Sequence, residues 1–430
     1  MNKKTLILFG IYFLIGSLSF KFLILPFLPN LNGGNGLLKG DSVVFHQAAL
    51  GLSQNVLSHG WRAWTLFPGV HSFNVGLLGA LYVFFGPSPL VILPFNIAAQ
   101  ILTAYLIYRI GRRLWPGNIG EIGGIIGACL FVLFLSPLVW FSQIHKDTFV
   151  LPAVLIILLG FFTILNSQLT NKAFFKVCLA GVGALAVIFL MRPNYYCLIF
   201  SAFLILSLLV LVFFGVFRRG PAVFGKMRQS FLFVGAVSAF SLCTLALPSS
   251  YLRSEFTVSS ADVGFVWDKS SSVPPLIDQY LEKVSCLRAH FINHSISVGA
   301  GSGIDLEAKP KNAAEVFAYL PRAMWIGLFA PFPSQWLEKM SAIRLVSSVE
   351  TFLWYLFSPG VVYLAIRKPS PAFWAGTIFC LGMITLFSYV NPNLGTLYRV
   401  RFGFWFFFLT CGAVGWAGVL LPLVESAGLS

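Results

Sequence analysis

The chain has 430 residues, of which 57% are hydrophobic and 10% charged, with a net charge of +15 and a mean hydropathy of +0.84. A soluble domain carries about 25% charged residues, so no water-exposed surface of ordinary polarity can be built from this sequence. The basic excess is therefore read as cytoplasmic loops and lipid headgroup contacts, and no nucleic-acid partner is expected.

Apolar runs recur along the whole chain at the length of about 20 residues that a bilayer core demands of a helix. Their continuity, without ten-residue alternation, predicts helices rather than a membrane barrel. The first run follows Met1-Asn2-Lys3-Lys4 and passes through Phe20-Lys21-Phe22 to Pro26 with no small-residue cleavage site. It predicts an uncleaved helix rather than a signal peptide. About ten spans are expected, at 6–28, 90–110, 120–142, 149–166, 174–192, 195–217, 230–248, 348–366, 372–390 and 403–423. Six of the seven cysteines fall inside these runs and only Cys286 lies in a polar stretch, so no disulfide framework is expected.

Phe73 to Phe85 is apolar but too short to span, and it ends at Gly86-Pro87-Ser88-Pro89. If it lies at the interface, Lys3, Lys4, Arg109, Arg112, Arg113, Lys172, Lys176, Arg218, Arg219, Lys226, Arg228, Arg367 and Lys368 all face the cytoplasm. If it spans, all but the first two face outward. The positive-inside bias selects the interfacial reading, with both termini cytoplasmic in a multi-pass protein of the inner (plasma) membrane. Three segments follow: an N-terminal membrane bundle at 1–248 with a first outer loop at 29–89, a long outer loop with interfacial helices at 249–347, and C-terminal spans at 348–430. The long loop shows no separately patterned core.

Only Asp41, Glu121 and Asp147 are acidic before residue 250. Glu121 starts the third span on the cytoplasmic side, whereas Asp41 and Asp147 both fall outside. Isolated carboxylates beside a bilayer are costly and tend to be functional, so these two are the catalytic candidates. Each also fits a helix N-cap, a role compatible with catalysis because a cap fixes the carboxylate. His145 and Lys146 precede Asp147, and Arg192 ends the fifth span. Arg399 and Arg401 stand at the entrance to the last. Arginine's fork suits phosphate, although snorkelling to headgroups also explains such residues. His46, His59 and His71 are acid–base or structural groups. Asn293-His294-Ser295 is a weak glycosylation sequon.

Gly40-Asp41-Ser42-Val43-Val44-Phe45-His46, the short Phe73–Phe85 segment, Tyr108-Arg109-Ile110-Gly111-Arg112-Arg113 and Ser136-Pro137 through Ser142-Gln143 to Lys146-Asp147 follow in a telling order. Together, over about residues 1–200, they resemble the GT-C membrane glycosyltransferases. The closer likeness is to the branch of protein O-mannosyltransferases and the lipid A aminoarabinose transferase. The resemblance implies an all-α GT-C-like helical bundle that moves a sugar from a polyprenyl-phosphate donor to a hydroxyl of a glycan, lipid or protein acceptor. It implies Asp41 as general base, Asp147 beside it, and Lys146, Arg192, Arg399 and Arg401 on the phosphate, with His46 and His145 in support. Many relatives carry paired acidic residues where Asp41 is followed by Ser42. No cofactor is required if arginines neutralise the phosphate, and a divalent metal stays open. A polysaccharide polymerase or ligase would instead place its decisive residues in 249–347. A lipid-linked sugar transporter would need mid-span ionisable residues and a repeat between halves.

Overall fold

A computed structural model describes residues 1–68, 73–192, 205–206, 209, 228–237, 239–240, 263–269, 273–299, 301–336 and 342–426. Among them seven helices are long and apolar enough to cross a membrane, or eight if one bent pair counts as a span. The architecture is all-α and polytopic, as the continuous apolar runs require. Of the expected span 195–217 only residues 205, 206 and 209 are described, and of 230–248 residues 230–237, 239 and 240. The chain forms two compact units, Met1–Leu252 with Phe357–Gly376 and Phe406–Ser430, and Arg253–Leu356 with Thr377–Trp405.

In the first unit, α1 (Lys3–Ser19) continues through a π-helical turn at Phe20–Ile24 and a 3-10 turn at Leu25–Phe27, where Pro26 ends it. Asp41–His59 forms α2 and Phe73–Phe85 forms α3. Their shared core of Phe45, Ala49, Val75, Leu78 and Tyr82 explains how a helix of only 13 residues is held. Gly79 permits the approach, because a Cβ there would stand 2.6 Å from Leu52.

Leu93–Leu114 forms α4 and Asn118–Leu133 forms α5. These two pack backbone to backbone. A Cβ on Gly124 would meet the Tyr108 carbonyl oxygen at 2.6 Å, and one on Gly111 would meet the Gly124 Cα at 2.5 Å. Small residues replace the hydrophobic drive that lipid cannot supply between helices. The expected span 120–142 is not one straight helix. Phe134 is extended, and α6 (Leu135–Phe141) restarts at a bend of 54°. The cause is Pro137, which has no N–H to donate and is tolerated in the first turn of a new helix. Asp147–Asn166 forms α7 and Asn171–Met191 forms α8.

The second unit holds the helices Pro275–Ser297 and Ala313–Phe329. Their core is not local to the long loop: Val316 and Ala323 pack with Tyr389 and Val390. The segment around Ile304 is tied down by main-chain bonds, Ile304 N–H to the Pro392 carbonyl at 2.8 Å and Leu394 N–H to the Ser302 carbonyl at 3.0 Å. The remaining membrane helices are Ala342–Arg367, Pro371–Val390 and Leu394–Ser426.

Candidate active site

Gly40, with φ of 104°, occupies the N-cap of α2 and leaves Asp41 as the first helical residue. The capping expectation is thus off by one. Glycine takes the left-handed turn that a side chain would resist, and its carbonyl accepts from Val43 and Val44. Asp41 is exposed at this helix start, where the dipole favours a negative charge. Asp147 is likewise the first residue of α7 rather than its cap, with Lys146 in the cap position.

Gln143 brings the two helix starts together. Its Oε1 accepts from the Leu38 N–H at 3.0 Å, its Nε2 donates to the Gly36 carbonyl at 3.4 Å, and its own carbonyl accepts from Asn96 Nδ2 at 2.8 Å. The buried Lys21 Nζ donates to the same Gly36 carbonyl at 3.0 Å. The first loop is thereby fixed to the turn before α7. In consequence the Ser42 hydroxyl lies 3.4 Å from His145 Nε2, and the Lys146 ammonium stands 5.2 Å from the centre of the Phe45 ring. His145, Lys146 and Asp147 are all buried.

Arg192 closes on Asp147 as a fork, Nε to Oδ1 at 2.9 Å and Nη2 to Oδ2 at 3.0 Å. The carboxylate side chain is only 10% exposed and its charge is compensated by this pair. His46 Nδ1 and the Tyr82 hydroxyl are 2.6 Å apart, and burial pushes His46 below the ordinary imidazole range. His59 is exposed at the end of α2 and bonds the Asn55 carbonyl, while His71 lies outside the described residues.

In the second unit, Arg401 is 1% exposed and spends its guanidinium on the carbonyls of Gly327 and Ala330, both at 2.6 Å. It satisfies the C-terminal end of the Ala313–Phe329 helix. Arg399 is half-buried two residues earlier. Sequence reasoning passed over Arg288, which is fully buried and binds the carbonyls of Ala308, Tyr389 and Asp305 and the Tyr319 hydroxyl. Asp305 in turn holds Arg322 at 3.0 and 3.1 Å. Burial pushes the Asp305 carboxyl up, but the bonds and charge of Arg322, Tyr319 and Arg288 outweigh it and leave it below the usual range. Glu350 was also missed. It is buried in a membrane helix and accepts from the Tyr398 hydroxyl at 2.5 Å, and an ionisable residue inside a span was the available signal. The sequon is not displayed, since Asn293 lies within a helix and accepts from Lys309 at 2.9 Å while donating to Val263. Among the described residues no group of three or more His, Cys, Asp or Glu is placed to hold a metal.

No protein-family model matches the chain. No curated protein sequence matches it. Solved structures do. ArnT from Cupriavidus metallidurans bound to undecaprenyl phosphate matches with a TM-score of 0.53 at 13% identity, covering 100% of this chain and 64% of its own. The Archaeoglobus fulgidus oligosaccharyltransferase in its apo form matches at 0.51 and 15% identity, covering 100% of this chain and 51% of its own. The same enzyme tethered to an acceptor peptide matches at 0.52 and 14% identity, with 100% and 51% covered. The chain therefore spans between about half and two thirds of the proteins it matches. Both neighbours are GT-C glycosyltransferases. The fold is, on these likenesses, that of a polytopic GT-C-like helical bundle.

Proposed function

We propose that this protein is a membrane glycosyltransferase that moves a sugar from a polyprenyl-phosphate donor to an acceptor hydroxyl on the outer face of the plasma membrane. One observation carries the reading: the start of α2, with Asp41, is locked against Lys146 and the Asp147–Arg192 pair through Gln143 and Ser42. An exposed carboxylate thus stands at a place built from compensated positive charge. The fold is shared with a protein whose structure holds undecaprenyl phosphate.

In this reading Asp41 takes the proton of the acceptor hydroxyl as its oxygen attacks the anomeric carbon. The bond from that carbon to the phosphate oxygen breaks, and the electron pair leaves on the polyprenyl phosphate. Lys146 and Arg192 stabilise the charge that develops there. Asp147 fixes Arg192's fork, and His145 orders Ser42 at the helix start. The phosphate role of Arg399 and Arg401 rests on the sequence resemblance. For Arg401 the carbonyls it already holds favour a positioning role.

The test uses the full chain in proteoliposomes with a panel of undecaprenyl-phosphate sugars, reading release of undecaprenyl phosphate. Asp41→Asn lowers the rate by at least about 100-fold while size-exclusion behaviour is unchanged. Full activity of that variant overturns the mechanism.

A further inference from the structure

The last turn of α4 carries Arg112 and the first turn of α5 carries Glu121. Sixteen residues of helix separate Arg112 from Asn96, which is about 24 Å at 1.5 Å per residue. This end of the helices is therefore remote from Asp41, and on the expected topology it faces the cytoplasm. An open cavity of ≈ 540 Å³ lies there, lined by Phe9, Tyr108, Arg112, Glu121, Ile125 and Cys129 among others.

Its chemistry is graded. The Tyr108 hydroxyl donates to Glu121 Oε1 at 3.0 Å and accepts from Arg112 Nη1 at 3.3 Å, so a phenol stands between the two charges. A guanidinium has five N–H donors and a carboxylate about four acceptor positions. One bond each to Tyr108 leaves both charges with most of their capacity facing an open space. Met1, Phe9, Ile125 and Cys129 give the wall an apolar side, while the polar Asn2 and Thr5 that complete it are bonded to each other, Thr5 donating to Asn2 Oδ1 at 2.9 and 3.0 Å.

We propose that this cavity binds a phospholipid whose headgroup is a phosphoethanolamine zwitterion. The phosphate sits on Arg112 and the primary ammonium on Glu121, while an acyl chain lies along Phe9 and Ile125. Charge complementarity selects this occupant over its rivals. An anionic headgroup leaves Glu121 desolvated beside a second negative charge, which is costly. A trimethylammonium cannot donate a hydrogen bond to Glu121, and the Tyr108 ring already carries the Arg112 guanidinium 5.7 Å from its centre.

The test is native mass spectrometry of the purified full chain with an equimolar mixture of phosphatidylethanolamine, phosphatidylglycerol and phosphatidylcholine of identical chains. Phosphatidylethanolamine is retained about tenfold over phosphatidylcholine, the worth of one charge-assisted hydrogen bond. Glu121→Gln reduces that preference to about twofold or less, and Arg112→Gln weakens all three lipids. Stepwise N-methylation of the headgroup lowers retention by the wild-type protein, which keeps the proposal falsifiable if either variant fails to fold. Preference for phosphatidylglycerol, equal retention of all three, or an unchanged ranking in Glu121→Gln overturns it. Displacement of the lipid by soluble phosphoethanolamine overturns the lipid assignment, because the apolar wall would then contribute nothing.

Discussion

Asp147 and Arg192 depend on each other more than either depends on solvent. Their side chains are 10% and 22% exposed, so Arg192→Met removes a bidentate partner from a nearly buried carboxylate and is expected to cost about 2–5 kcal/mol, read as a lower apparent melting midpoint. Arg192→Lys keeps the charge but loses the fork. It is expected to recover part of the stability and little of the transfer rate. His46 gives a pH signature. Its folded pKa lies below its unfolded value, so the native state binds fewer protons. The stability it contributes is present above an unfolded value of about 6.5 and is lost as pH falls toward the folded value. Melting midpoints measured between about pH 5 and 8 should show this acid-side loss in the wild type. In His46→Gln the slope should be absent. Asp41 and Asp147 stand out in the sequence as candidates because acids are scarce there. Their separate states, one exposed and one paired with Arg192, do not.

At the element scale the glycines of α5 decide whether the helices meet. Gly124→Leu drives a side chain into the Tyr108 carbonyl, so α4 and α5 must part; loss of the monodisperse peak on size exclusion is expected. Gly183→Ala is the control, because a Cβ there meets nothing within 4 Å and helix propensity favours alanine. That variant should be as stable as the wild type or slightly more so. Hydropathy located the helices well, since a run of some 20 apolar residues has one stable form in lipid. It did not locate the break at Phe134. It also missed the core of the long segment 249–347, because Tyr389 and Val390, which complete that core, lie more than sixty residues downstream in a membrane helix. No window over 249–347 contains them.

On the scale of the whole molecule the prediction is one of sidedness. In a cysteine-free background, Asn35→Cys should react with an impermeant maleimide added to intact cells, and Lys368→Cys only after lysis. The opposite pattern would invert the topology and remove Asp41 from the outer face. In the proposed mechanism Lys146 and Arg192 neutralise the phosphate, so the transfer should persist in a chelator. Loss of activity in EDTA, restored by a divalent cation, would assign the phosphate to a metal.

The amino-acid sequence by itself determined the solvent and the class of fold. With 57% hydrophobic residues and a basic bias toward one side, a helical bundle in a membrane is the form that satisfies the backbone and the charges. Its order of small motifs also carried the likeness to the GT-C enzymes, and with it the choice of Asp41. Only the tertiary structure decided what holds that residue in place. Gln143 reaches back 105 positions to Leu38, and Ser42 meets His145 across 103. Such contacts join residues with no local signature, because a glutamine bonded to a distant loop reads in sequence like any other glutamine.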